Sequence, residues 1–465
     1  MSTQRYDVVV VGLGSAGSRA AGQAHAAGAR VLAIEGGERI GGLCILRGCM
    51  PTKSLLEAAH VAHTVTDAGR FGLEVGSVGL DFGFVMDRMR GHVERFRRAK
   101  ENGVRAAGYE IRMGRPRFVD PHALELDGDR IEAAAFVLST GSEVSPLPYP
   151  VAEGARVLTS DDMFLLEAPP ARAVVLGAGA VGLEFAQWLA RVGTEVTLAN
   201  RSGILSKVSP GCGEELEAAL AEEMVVYAPS RLHGVGVAAD GATEVHLHDD
   251  DGHERRVPCD FVLNALGRQP IFAGLDVEAL GLELVDGRVA VDERRQAAVP
   301  HVFVAGDAAG IRLILHEANL EGSLAGRNAA RVAGILDGPL EAYDTSIPPF
   351  SVIFTDPPFA CVGRPQVELD RAGVPYRKAV KRFPEQGRGI CMGAEHGRIE
   401  LFAEARGGAD ARLLGCEIVG PRADDLAHVV ATALSLGATV GQFHRVPWYH
   451  PTLSESFIEV TRALL

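Results

Sequence analysis

The chain has 465 residues, 47% of them hydrophobic, 23% charged and 6% aromatic, and its 46 basic and 60 acidic side chains give a net charge of −14. That length suits roughly three domains whose cores need neither disulfides nor metals, while the negative balance argues against nucleic acid and anionic membranes as partners. No apolar run approaches the roughly 20 residues that span a bilayer, and the first residues lack the basic and apolar regions of a signal peptide; a cytoplasmic protein is expected. Seven cysteines are too few for a disulfide framework, so a pair that matters is expected to be catalytic or metal-binding.

Tyr6 to Val11 reads as a buried parallel strand, followed at once by Gly12-Leu-Gly14-Ser15-Ala16-Gly17. An Ala-rich helix from Arg19 to Ala27, a closing Gly28 and a strand from Arg30 to Glu35 complete the unit. Next comes Gly41-Gly42-Leu-Cys44-Ile-Leu-Arg-Gly48-Cys49-Met-Pro51-Thr-Lys53. Five steps along a regular helix rise about 7.5 Å, beyond the usual Cα separation in a disulfide. A Cys44–Cys49 bond therefore requires a distorted turn, for which Gly48 supplies backbone freedom, and Pro51 suits the opening of the following helix. Two structural thiols or half a metal site are the other readings; no second cysteine pair or histidine cluster completes four metal ligands, so no metal is expected.

The strand Phe136 to Ser139 ends at Thr140-Gly141. The opening phrase then returns: a strand Ala173 to Leu176, Gly177-Ala-Gly179-Ala-Val181-Gly182, a helix, Gly193, and a strand Glu195 to Asn200, with Gly177, Gly182, Gly193 and Asn200 each 165 positions after Gly12, Gly17, Gly28 and Glu35. One such fingerprint can be an ordinary glycine-rich turn. Two complete strand–loop–helix–strand units in register predict two dinucleotide-binding domains. In each, the first Gly allows the tight turn, the second lets the backbone approach a pyrophosphate, and the third lets helix and strand pack closely; the pyrophosphate sits on the free N–H groups of the helix start. The strand Phe261 to Ala265 runs into Leu266-Gly267-Arg268, and His301 to Ala305 into Gly306-Asp307. From about Thr345 prolines 348, 349, 357 and 358 punctuate a mixed region, read as a third, α+β domain.

A fingerprint followed by the GGxCxxxxGCxPxK string resembles the flavoprotein disulfide reductases, the class I pyridine nucleotide–disulfide oxidoreductases that include dihydrolipoyl dehydrogenase, glutathione reductase and mercuric reductase. The resemblance continues through the second fingerprint, Gly267-Arg268, Ala305-Gly306-Asp307 and His450-Pro-Thr-Leu-Ser-Glu455, in the family's order. It implies an α/β fold with two Rossmann-like domains, one for FAD and one for NAD(P), plus a C-terminal α+β dimerisation domain. The expected boundaries are 1–148 and 271–344 for FAD, 149–270 for NAD(P) and 345–465 for dimerisation.

The resemblance also implies roles. FAD would be held by the first fingerprint, Gly42, the Thr140-Gly141 turn and Asp307, with Glu35 accepting from the adenosine ribose and Leu313 to His316, including Leu315, along the isoalloxazine. NADP or NAD would lie on Gly177, Gly179, Val181 and Gly182, near Gly267. Cys49 would be the charge-transfer thiol beside the flavin and Cys44 the exchanging thiol. Lys53 and Glu184 match an ion pair beside the flavin, where a cation stabilises negative charge. His450 would be the acid–base group, held out of a helix by Pro451, with Glu455 orienting it. In the family this His serves the active site of the other subunit, so a homodimer is implied.

Leu43, Arg47, Trp448 and Tyr449 depart from the family's usual residues beside the cysteines and His450 and are positions that would reshape the disulfide pocket. Cys212, Cys259, Cys361, Cys391 and Cys416 match no redox motif and are read as packing residues. Asn200 stands where an NAD site carries a carboxylate, and Arg201 follows it; together they predict a preference for NADP(H), with a charge-assisted contact to a 2′-phosphate. The reading is an enzyme passing electrons between NAD(P)H and a small-molecule or lipoyl-type dithiol or disulfide, dihydrolipoyl dehydrogenase-like. The alternatives are an NADPH-dependent reductase of a low-molecular-weight disulfide and a redox-sensing or electron-donating flavoprotein.

Overall fold

In the computed structural model, residues 3–465 are described. They divide into two compact units.

The first comprises Met1–Ser54, Met86–Ser145 and Gly267–Asp344. Its sheet runs Glu110–Met113, Val31–Glu35, Thr3–Val11, Asp129–Leu138, with parallel register such as Val8↔Val31 and Val8↔Ala135. Val8 to Val11 are all buried, the signature of a parallel strand covered on both faces rather than an alternating one. Asp129–Leu138 has two partners along its length: its start pairs antiparallel with Ala123–Leu126, and its end pairs parallel with Val302–Val304. The helices Ser15–Ala26 and Leu315–Val332 cover one face through alanines, among them Ala16, Ala20, Ala325 and Ala329. A two-stranded ribbon, Ser142–Val144 against Arg268–Pro270, is antiparallel with Ser142 opposite Pro270.

The second unit comprises Leu55–Val85, Pro146–Leu266 and Thr345–Leu465. A parallel sheet is ordered Val225–Tyr227, Glu195–Ala199, Arg172–Leu176, Phe261–Asn264, Val157–Leu158, with the helix Ala180–Arg191 after the second fingerprint. The sequence did not resolve the three-stranded meander Arg231–Val237, Thr243–His248, Glu254–Cys259. The region after Thr345 holds a five-stranded antiparallel sheet, Phe350–Ile353, Phe359–Gly363, Leu413–Val419, Arg398–Glu404, Tyr376–Arg382. The helices Ala423–Ser435 and Ser456–Leu464 close its core around Phe383, Leu401, Ile418, Val430 and Phe457.

Cys212, Cys259, Cys361 and Cys416 are buried, as packing residues should be, but Cys391 is exposed, which corrects the expectation for that residue. It ends the five-residue helix Gly387–Cys391, too short to bury every face. No helix among the described residues is long and apolar enough to cross a membrane.

Candidate active site

The two fingerprints fold alike. Gly12 has φ +96°, and a Cβ there would lie 2.3 Å from the Ser139 carbonyl oxygen; Gly177, at φ +112°, would meet the Ala265 oxygen at 2.5 Å. A Cβ on Gly17 or Gly182 would stand 1.8 Å from the oxygen of Gly12 or Gly177. These contacts admit no side chain and bring each helix start onto its strand end. Ser139 and Ala265, each just past the end of its strand, are what the first glycines pack against.

The helix starts suit a pyrophosphate. Neither Gly14 nor Gly179 makes a side-chain cap, and the first turns carry no acid. A Cβ on Gly179 would meet nothing within 4 Å, and one on Gly14 only Gly42 at 3.7 Å, so the backbone N–H groups are approachable by an anion. Glu35, at the end of the second strand, is held at both oxygens: Leu13 N–H donates to Oε2 at 3.0 Å and Gly37 N–H to Oε1 at 2.9 Å. The carboxylate is thus pinned beside the fingerprint loop before any ribose arrives. The buried Thr140 hydroxyl has no hydrogen-bond partner among the described residues. Ile311, Leu313 and Leu315 are 50%, 43% and 44% exposed, an apolar row that suits an aromatic ring. These features fit FAD.

The cysteine segment forms two helices, Gly42–Arg47 and Cys49–Thr66, broken at Gly48. A Cβ on Gly48 would lie 2.9 Å from the Leu43 oxygen and 3.3 Å from Cys44 Cα, so the break closes tightly only around glycine. It brings Cys44 and Cys49 together as free thiols, with Cys44 donating to Cys49. That hydrogen bond, reinforced by burial and opposed by the charge of Lys53, pushes the Cys44 thiol far above the ordinary range. Cys49 is the exposed member of the pair. Gly42 meets the fingerprint directly, since a Cβ on it would be 2.7 Å from Gly14 Cα.

Asp307 lies in the short turn Gly306–Ala308. Ser142 Oγ donates to its Oδ2 at 2.6 Å, and Arg268 donates to Ser142 Oγ at 2.9 Å and to Ser142 O at 2.7 Å. Ser142 and Arg268 thus tie the ribbon to the Asp307 turn. Sequence reasoning did not assign Ser142. It also missed Glu321, which is buried and accepts from Gly306 N–H at 2.8 Å while pairing with Arg295 at 3.1 Å. Lys100, largely buried and bonded to Ser18, was missed as well; burial and the nearby Arg19 lower its pKa, and Cys44 lies within its electrostatic reach. A lysine in the run Arg97-Arg98-Ala-Lys100 reads as a solvated helix face, so the sequence held no signal for it.

In the second unit the Asn200 amide donates to Ser202 O at 2.7 Å and to its Oγ at 3.2 Å, turning back into its own loop, with Arg201 exposed beside it. Val181, on the fingerprint helix, is 37% exposed. Glu184 is buried and accepts from Phe354 N–H at 3.0 Å. His450 and Glu455 are brought together: Nδ1 faces Oε1 at 3.0 Å and Oε2 at 2.9 Å, while the ring is largely exposed. The His450–Pro451 peptide is cis, a conformation the sequence reading did not foresee. Trp448 packs between Phe443 and Phe457, with ring centroids 5.1 and 5.2 Å away. It anchors the loop from below, whereas Tyr449 is exposed.

Comparison with known proteins agrees with this geometry. The family model described as pyridine nucleotide-disulphide oxidoreductase matches residues 6–325, and that of the same family's dimerisation domain matches residues 349–461, which supports a homodimer. A dihydrolipoyl dehydrogenase of Thermus scotoductus is 33% identical over 99% of this chain and 97% of its own length. The mitochondrial dihydrolipoyl dehydrogenase of Sus scrofa is 29% identical over 98% of this chain and 90% of its own. Among solved structures, the HOCl-induced flavoprotein disulfide reductase RclA from Escherichia coli covers 99% of this chain with a TM-score of 0.82 at 21% identity, a likeness of fold. Both halves of the chain thus match one family along their length, and the cofactors of that family are FAD and a pyridine nucleotide. The chain belongs to the pyridine nucleotide-disulphide oxidoreductases.

Proposed function

We propose that the chain oxidises a lipoyl-type dithiol and delivers the electrons to a nicotinamide, as a dihydrolipoyl dehydrogenase-like enzyme. The observation that carries this reading is the Cys44–Cys49 pair, held in hydrogen-bond contact across the break at Gly48. In the oxidised enzyme a substrate thiolate attacks Cys44 Sγ, forming a mixed disulfide and releasing Cys49 as the thiolate. The second substrate thiol then attacks the substrate sulfur of that mixed disulfide. The substrate leaves as a cyclic disulfide, and both cysteines are left reduced. Bound FAD supplies the two-electron link between the reduced pair and the nicotinamide. His450 receives the substrate proton at Nε2, and Glu455, on Nδ1, fixes the tautomer and stabilises the imidazolium.

The remaining assignments are parts of the same proposal. FAD is held by residues 1–148 and 271–344, through the first fingerprint, Glu35 and the Asp307 turn; Lys53 and Glu184 are the positions that match the family's charged residues. The nucleotide is held by 149–270, and 345–465 dimerises. The support is the length and order of the resemblance, together with the match of each group's chemistry to its task.

Purified protein is expected to be yellow and to turn over dihydrolipoamide with NAD(P)⁺ faster than it reduces glutathione disulfide. The reverse preference would replace this reading with a disulfide reductase. Reversible oxidation of the cysteine pair without turnover of any dithiol or disulfide would replace it with a sensor.

The nucleotide is expected to be NADP(H) in preference to NAD(H). Asn200 brings no carboxylate to repel a 2′-phosphate, and Arg201 stands exposed in the same turn. A charge-assisted contact to phosphate is worth roughly tenfold or more in affinity. Arg201→Ala should therefore lower kcat/KM for NADPH about tenfold and leave that for NADH unchanged. A wild type favouring NADH, indifferent to the substitution, refutes the assignment.

A further inference from the structure

The meander of the second unit carries a group of histidines with no part in the proposed chemistry. Along Thr243–His248 burial alternates: Thr243, Val245 and Leu247 are buried, while Glu244, His246 and His248 take the half-exposed positions between them. The register of the neighbouring strand shifts between Leu232 and Gly234, leaving His233 as the extra residue. Such bulges re-aim a side chain. Here the ring of His233 meets that of His248, with Nε2 and Nδ1 2.5 Å apart, centroids 4.6 Å apart and planes at 83°.

Two imidazole nitrogens this close share one proton or give way to a cation. Because the pair is solvent-exposed, water could satisfy either ring alone, and core packing does not force them together. Converging imidazole nitrogens suit divalent transition ions such as Cu(II) and Zn(II) and not Mg(II). At metal–nitrogen distances of about 2.0–2.1 Å, two nitrogens of a tetrahedral site stand about 3.3 Å apart, so opening the pair by less than about 1 Å admits the ion. His233 also lines a cavity of about 320 Å³ with Pro150 to Ala152 and His246, which gives room for coordinated water. His246 itself is committed elsewhere: its Nε2 lies 2.7 Å from Glu244 Oε1, a carboxylate that Arg256 also approaches at 3.5 Å.

We propose that His233 Nε2 and His248 Nδ1 form a binding site for a divalent transition-metal ion, with water completing the coordination sphere. Binding displaces the shared proton, so the ion competes with protonation of the pair.

The test is calorimetric titration of oxidised holoenzyme, in which the Cys44–Cys49 disulfide cannot compete, with Cu(II), Zn(II) and Mg(II). A Cys391→Ser background removes the exposed thiol. One equivalent of Cu(II) or Zn(II) per chain is expected, and none of Mg(II). His233→Gln and His248→Gln should each weaken binding at least about tenfold, and His246→Gln should leave it within about twofold. Electron paramagnetic resonance of the Cu(II) form should resolve coupling to two imidazole nitrogens. Absence of binding in the parent protein overturns the proposal, and so does undiminished binding, or retained two-nitrogen coupling, in His233→Gln or His248→Gln.

Discussion

Cys44→Ser and Cys49→Ser should each lose dithiol–disulfide turnover by a factor of order 10³ or more, the scale on which removing a covalent nucleophile acts. Both variants should keep bound flavin, because the Glu35 and Gly14 contacts that shape its site involve neither sulfur. Reduction of a synthetic acceptor that takes electrons directly from the flavin should therefore survive. The two variants should also differ from each other. The Cys44 thiol is pushed up by its hydrogen bond with Cys49 and by burial, and Cys49 is the thiol proposed to face the flavin. Cys44→Ser should retain thiolate-to-flavin absorbance after two-electron reduction, and Cys49→Ser should lose it. Full turnover in either variant would return both cysteines to a structural role.

His450→Gln should slow the dithiol half-reaction by about 10²–10⁴-fold, the usual contribution of a positioned acid–base group, and leave reduction by the nicotinamide near its native rate. Glu455 straddles Nδ1 with both oxygens, which leaves Nε2 as the nitrogen that exchanges protons. Glu455→Gln should cost less, since the base remains and only its tautomer and charge lose support. Proton transfer by His450 also carries a pH signature. A substrate thiol ionises unaided near about 8.5, so the gap between His450→Gln and the native enzyme should narrow as pH rises through that value. Rapid-mixing traces showing equal loss in both half-reactions, or a gap independent of pH, would remove His450 from this role.

The parts of this molecule legible in sequence are those whose chemistry is local. Gly12 and Gly17 announce themselves because a Cβ at either would collide with a neighbouring carbonyl, and the same collisions recur at Gly177 and Gly182. The buried strands read clearly because Val8 to Val11 form an unbroken apolar run. Cys44, Cys49, His450 and Glu455 were legible through spacing and family pattern, and the structure brings each pair together. What stayed hidden depends on distant partners. Glu321 meets the Gly306 turn, Ser142 meets Asp307, and Lys100 meets Ser18 across 82 residues; nothing adjacent in sequence marks any of them. The meander was missed because Gly234, Gly236 and the extra residue His233 break the strand that pairs with the alternating Thr243–His248, and Cys391 was misread because a cysteine's usual burial says little about a five-residue helix.

The ribbon of Ser142–Val144 and Arg268–Pro270 bears on how such a chain was assembled. It places the point where the chain leaves the first unit beside the point where it returns, with Val144 opposite Arg268 and hence about one strand spacing, roughly 5 Å, between them. A connector of two or three residues spans that distance. The segment from Pro146 to Leu266 thus leaves and re-enters the chain of the first unit at one doorway, and it supplies no strand to that unit's seven-stranded sheet. A foreign module with closely spaced ends could enter at the same doorway, and the interrupted host could be closed with a tight turn.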